Sequence, residues 1–94
     1  MTHDDNKARV NVKIYGEEYV MRGPNTPEHM LSIAHYVDEK MKEIGQANTR
    51  LGINKVAVLT SLNLADELFR ARKELQEMKA RMEQKNRQEH RNRR

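Results

Sequence analysis

The residue types that can do chemistry are present in this chain, but their spacing is poor for it. Four histidines raise the question of a metal. His29 and His35 stand six apart, on different faces of a helix, whereas helical zinc ligands want i, i+4 spacing. His3 and His90 fall near the ends. Asp38-Glu39 and Asp66-Glu67 are adjacent carboxylates, which diverge by about 100° on a helix and cannot easily share a proton-transfer task. There is no cysteine, hence no thiolate nucleophile, disulfide or Cys-based zinc site. No glycine-rich phosphate loop occurs. No catalytic residue, metal ligand set or cofactor is expected, and the chain is not expected to be an enzyme.

The composition points elsewhere. Of 94 residues, 36% are hydrophobic and 34% charged, against a usual ~45–50% and ~25%. So few apolar side chains suit long helices and assembly with other copies better than a monomeric core. The net charge of +4 is concentrated in residues 84–94, where Lys85, Arg87, Arg91, Arg93 and Arg94 face only Glu89. That excess accounts for the whole net charge, so the body is neutral and a DNA-binding surface on it is disfavoured. With no apolar leader at the N-terminus and no run of ~18 apolar residues, a cytoplasmic chain without a membrane span is expected.

The elements follow from periodicity. Residues 8–15 alternate, with Val10, Val12 and Ile14 on one face, and Gly16 suits a tight turn. A Gly16-Glu17 turn would set Ile14 opposite Tyr19 and Val12 opposite Met21. Thr26 is an N-cap and Pro27 a first helical residue. Met30, Ile33, Ala34, Val37, Met41 and Ile44 then recur at helical spacing up to Gly45. After the loop 46–54, with Asn54 as N-cap, a second helix is predicted from Lys55 to about Asn86, roughly 48 Å long. The expected organisation is a disordered segment 1–7, a ββαα head 8–69, a coiled-coil stem 70–86 and a basic disordered tail 87–94. The fold class is α+β.

The second helix carries two patterns. With Leu64 at heptad position d, the a positions are Ser61, Leu68, Leu75 and Met82, and the d positions Ala57, Leu64, Ala71 and Met78. Glu67 and Glu74 at g would meet Arg72 and Lys79 at e of a parallel, in-register partner. Residues Leu64, Leu68, Ala71, Leu75, Met78 and Met82 are therefore the expected oligomerisation seam. Two or three heptads with Ala71 and two methionines are short, so stems are expected to pair again into a four-helix arrangement. A second stripe, Val58, Leu59, Leu62, Ala65 and Phe69, is expected to lie under the first helix and the hairpin. Asn63, at the edge of this stripe, is expected to make a structural contact.

The stretches "VNVKIYGEEYVMR", "YVDEKMKEI" and above all "KVAVLTSLNLADEL" resemble the ZapA family of bacterial cell-division proteins over roughly residues 9–75. Helical amphipathicity alone does not dictate the Asn63 or the ADEL that follows it. The resemblance implies a non-enzymatic partner of FtsZ, the tubulin-like GTPase of the mid-cell septum, acting in the cytoplasm. It implies a parallel homodimer, two of which join stem to stem in antiparallel fashion to cross-link FtsZ protofilaments. Family contacts with FtsZ are attributed to the head, including charged residues near the inter-helix loop, where Arg50 and Lys55 stand here. Arg22 and Lys13 on the outer hairpin face are further FtsZ-binding candidates. A basic residue that some relatives carry after the hairpin glycine is Glu17 in this chain. The rival reading is a nucleic-acid-binding coiled-coil dimer that grips phosphate with its C-terminal tail.

Overall fold

The structure, a computed structural model, describes residues 8–92, and side-chain surroundings as far as residue 89. The expected disordered segment 1–7 lies outside the described residues. Four elements follow in order: β1 (Ala8–Ile14), β2 (Glu17–Gly23), α1 (Pro27–Ala47) and α2 (Ile53–Asn92). The expected hairpin and two helices, the second long, are what the chain forms. Residues up to Thr60 make one compact unit, and the rest of α2, from Ser61, makes a second.

The hairpin turns one residue earlier than its sequence suggests. Val12 pairs with Tyr19 and Val10 with Met21, in place of the Val12–Met21 and Ile14–Tyr19 pairs expected. The turn is Tyr15-Gly16, with φ of 50° and 84°. Two-residue turns with positive φ at both positions match the twist of the flanking strands. Tyrosine is an uncommon occupant, since a Cβ in the left-handed region costs roughly 1–2 kcal/mol. Helix α1 offsets that cost. The Tyr15 N–H donates to Asp38 Oδ1 at 2.7 Å, across 23 residues of sequence. The register slips by two in the pairing sum, so Val10, Val12, Tyr19 and Met21 still share one side of the ribbon, with Val12 buried and Tyr19 about half exposed.

Helix α1 begins as expected. The Thr26 hydroxyl accepts from the His29 N–H at 3.1 Å, and Pro27 occupies the first turn, where its missing N–H costs nothing. The helix does not stop near Gly45. It runs to Ala47 and closes on Asn48, whose N–H donates to the Ile44 carbonyl at 3.2 Å. Gly45 serves packing instead, because a Cβ there would collide with the Tyr15 hydroxyl. The turn of the hairpin thus sits on a part of α1 kept bare for it.

Helix α2 starts at Ile53, with Gly52 at the cap, its carbonyl accepting from the Val56 N–H at 3.0 Å. Asn54 is inside the helix and is not the N-cap. Glycine serves at an N-cap nearly as well as the polar residues. The helix extends to Asn92, past the predicted end near Asn86 and through most of the stretch read as a disordered tail. No proline or glycine interrupts residues 53–92, and Gln, Glu, Lys and Arg there are good helix formers. At 40 residues it is about 60 Å long.

The core is small. Val12, Met30, Ala34, Met41 and Val56 are buried, with Thr60 the one buried polar residue named among the described residues. Heptad positions c and g of α2, where Val56 and Thr60 stand, are the ones buried in the first unit. Val58, Leu59, Leu62 and Phe69 are exposed, contrary to the expectation that α1 and the hairpin cover them. Val58, Leu62 and Phe69 lie about a third to half a turn of the helix away from Val56 and Thr60, so one helix face cannot bury both sets.

Candidate partner-binding and assembly surfaces

Two surfaces concern function: the cationic and apolar features of the first unit, and the apolar row along the second. Arg50 belongs to a tight turn. Asn48 Oδ1 accepts the Arg50 N–H at 3.3 Å and the Asn48 carbonyl accepts the Leu51 N–H at 3.2 Å. The Arg50 side chain is exposed. One step further, Lys55 lines an open pocket of about 310 Å³ with Leu51, Asn54, Val58 and Leu59. From Ile44 to Ala65 the chain has two cations, Arg50 and Lys55, and no acidic residue. A carboxylate-bearing partner would meet no like charge from this segment.

Lys13 and Arg22 are exposed on the outward face of the hairpin. The pairing puts Lys13 beside Glu18 and Arg22 beside Arg9. Arg9 was not among the residues singled out by sequence, because the expected register sets Arg22 across from Asn11. Two arginines side by side repel one another and favour an anion between them. Arg50 and Lys55 sit on the inter-helix segment and first turn of α2, while Lys13 and Arg22 sit on the strands, so the four candidates divide into two pairs.

One turn of α1 also gathers polar residues. His35, Asp38 and Glu39 have ligand-type atoms within 4.8 Å of one another. Lys42 sits among them, its Nζ 3.0 Å from Asp38 Oδ2 and 3.9 Å from Glu39 Oε2. Asp38 is therefore held on one oxygen by the Tyr15 N–H and on the other by Lys42. The Tyr15 N–H, then Lys42, lower its pKa below the ordinary carboxylate value, and Asp38 in turn raises that of Lys42. The Asp38 carboxylate, shared between the Tyr15 N–H and Lys42, is a structural tie between hairpin and helix.

In the second unit, the seam positions form one row on α2. Leu68, Leu75, Met78 and Met82 are all about half exposed or more, and Leu64 is half-buried. Ala71 is exposed among them. Large apolar side chains at such spacing form an uncovered apolar row on an otherwise charged helix. Asn63 is exposed on α2, beside this row. Asp66 and Arg70 pair at 3.1 Å on the same helix, an exposed i, i+4 contact of small energy. Among the described residues no helix is long and apolar enough to cross a membrane.

A β-hairpin, a capped helix and a second helix that continues as a charged rod with one apolar row define an α+β protein with a coiled-coil-type extension. The sequence model of the family "Cell division protein ZapA" matches residues 10–93. The chain belongs to the ZapA family of cell division proteins. It is 38% identical over 79 residues to "Cell division protein ZapA" of Geobacillus thermodenitrificans (strain NG80-2), covering 84% of this chain and 87% of the relative. A Bacillus licheniformis relative of the same description is 37% identical over 82 residues, covering 87% and 96%. Among solved structures, "ZapA mutant dimer from Geobacillus stearothermophilus" superposes with a TM-score of 0.68 at 32% identity, covering 88% of this chain and 96% of that one. An "Unknown conserved bacterial protein from Pseudomonas aeruginosa PAO1" gives 0.67 at 27% identity, covering 85% and 89%. The family is one of cell-division proteins and not a known family of enzymes.

Proposed function

We propose that this chain binds FtsZ and, as an oligomer with heads at both ends, cross-links FtsZ protofilaments at the division site. The observation that carries the reading is the exposed row Leu68, Leu75, Met78 and Met82 on the long helix of a cell-division protein. A row this apolar needs a partner, and its g and e charges suit a second copy lying parallel and in register. Glu67 and Glu74 of one copy would meet Arg72 and Lys79 of the other. Two such dimers joined stem to stem would bury the row further and carry heads to opposite ends. A bridge between filaments needs that bivalence. Such an oligomer would act in the cytoplasm, at mid-cell.

On the head, Arg50 and Lys55 beside the apolar pocket are the first candidates to touch FtsZ, with Lys13 and Arg22 the second pair. A side chain set in the pocket would supply apolar burial, and the cations would select an acidic surface around it. Co-sedimentation with polymerised FtsZ at low salt, followed by electron microscopy, tests the reading. The expected result is that the protein pellets with the polymers and thickens them into bundles. Failure to pellet at low salt sinks it.

A further inference from the structure

The basic end of the chain is left unused by the bundling reading, and it is helical. Helix α2 continues without a break from the seam to Asn92, and residues 83–89 are all exposed. Residues 84–94 hold five cations, Lys85, Arg87, Arg91, Arg93 and Arg94, against Glu89 alone. The seam does not reach them. Continuing the heptad past Met82 puts Lys85 at d and Glu89 at a, so a parallel partner would set each against its own kind. Like charges there repel, and no apolar residue follows Met82 to offset the repulsion. Stems that pair again into a four-helix arrangement would find nothing apolar to bury there either.

We propose that the paired helices part after Met82 and that their basic ends bind duplex DNA through its phosphates, an activity separate from FtsZ binding. Basic helices that fork from the end of a parallel coiled coil have the geometry that straddles a DNA major groove. From Glu83 to Asn92 each arm is about 15 Å long, enough to cross a groove about 12 Å wide. Lys85 and Arg87 point about 200° apart around the helix, and phosphates line a groove on both sides. Gln84, Asn86 and Gln88, between the cations, can donate to phosphates without adding charge. An anionic lipid surface fits worse, since it presents charge on one side only and these arms have no apolar face to insert. Phosphate contacts carry no base information, so the binding is independent of sequence. The inference rests on the parallel dimer of the reading above, which brings two arms to one end of the stem.

Fluorescence anisotropy of the full chain with a labelled duplex of about 20 base pairs, two turns of DNA, tests it. Binding at low salt is expected. Affinity should fall about a hundredfold or more for a fourfold rise in salt, as about four phosphate contacts require. The triple variant Lys85→Gln, Arg87→Gln, Arg91→Gln keeps good helix formers and should lose at least about tenfold in affinity, with a flatter salt dependence. Its mass in sedimentation and its pelleting with FtsZ should be unchanged. Leu75→Glu, which dissociates the stem, should also lose DNA binding, because a single arm holds half the charge. No binding at low salt, or undiminished binding by either variant, would overturn the inference. So would a preference for phosphatidylglycerol vesicles over DNA, or equal binding to duplex RNA, whose narrow major groove excludes a helix. Loss of DNA binding with FtsZ pelleting retained removes this inference alone, whereas DNA binding without FtsZ pelleting supports it and removes only the bundling reading.

Discussion

Thr60 carries a hydroxyl that is buried and has no hydrogen-bond partner. Burying such a group costs about 1–3 kcal/mol without a bond to offset the lost hydration. Thr60→Val keeps the shape and removes the orphan oxygen, so it should raise the urea midpoint by an amount equivalent to about 1 kcal/mol. A lower midpoint would show that the hydroxyl is bonded in the assembled protein. Gly45 presents the opposite case, a residue kept for what it lacks. Alanine in a helix interior ordinarily gains about 1 kcal/mol over glycine. Here the added Cβ would strike the Tyr15 ring and hydroxyl. Gly45→Ala should therefore gain about 1 kcal/mol in a Tyr15→Asn background, where asparagine tolerates the left-handed turn, and clearly less in the native one. Equal effects in both backgrounds would refute the close packing.

At the scale of elements, hairpin and α1 are tied by Asp38. Its folded-state pKa is depressed by the Tyr15 N–H first and by Lys42 next. A depressed acid contributes stability that is whole above its ordinary value of 3.8 and is lost as pH falls through the lower folded value. Lys42 mirrors it. Its raised pKa gives a contribution that is whole below 10.5 and is lost as pH rises through the raised value. Asp38→Asn keeps an oxygen for the Tyr15 N–H and removes the charge. Urea midpoints measured from about pH 5 to pH 2 should therefore fall less steeply in the variant. Parallel curves for the two proteins would refute the charge tie. Faster exchange of the Tyr15 amide in the acid range should accompany the loss in the native chain.

For the whole molecule, the bundling reading depends on assembly through the stem. Fully burying a leucine is worth about 1.5–3 kcal/mol, and a carboxylate in its place must be desolvated or exposed. Leu75→Glu, or Leu68→Glu, should weaken self-association by at least about tenfold in sedimentation equilibrium and abolish FtsZ bundling. Binding of single heads to FtsZ can survive. Undiminished bundling by a dissociated variant would show that the heads alone cross-link filaments.

The sequence by itself determined the hairpin, the Thr26-Pro27 start of α1, the long breaker-free α2 and its exposed apolar row, because each is a local pattern read within a few turns. The family too was legible in it, through "KVAVLTSLNLADEL". Tertiary structure decided the rest. The turn moved to Tyr15-Gly16 because Asp38, 23 residues away, takes the Tyr15 N–H and α1 offers Gly45 to the ring. Gly45 reads as a helix end in the sequence, since a glycine reserved for packing and one reserved for a cap look alike in a string. The pairing of Arg22 with Arg9 depends on that same register. Which face of α2 the first unit buries was also undecidable from amphipathicity. Residues 56–69 are apolar on nearly every side, and only packing selects Val56 and Thr60, leaving Leu62 and Phe69 in the open. Periodicity reports that a surface wants burial; the choice of what buries it is made by contacts distant in the chain.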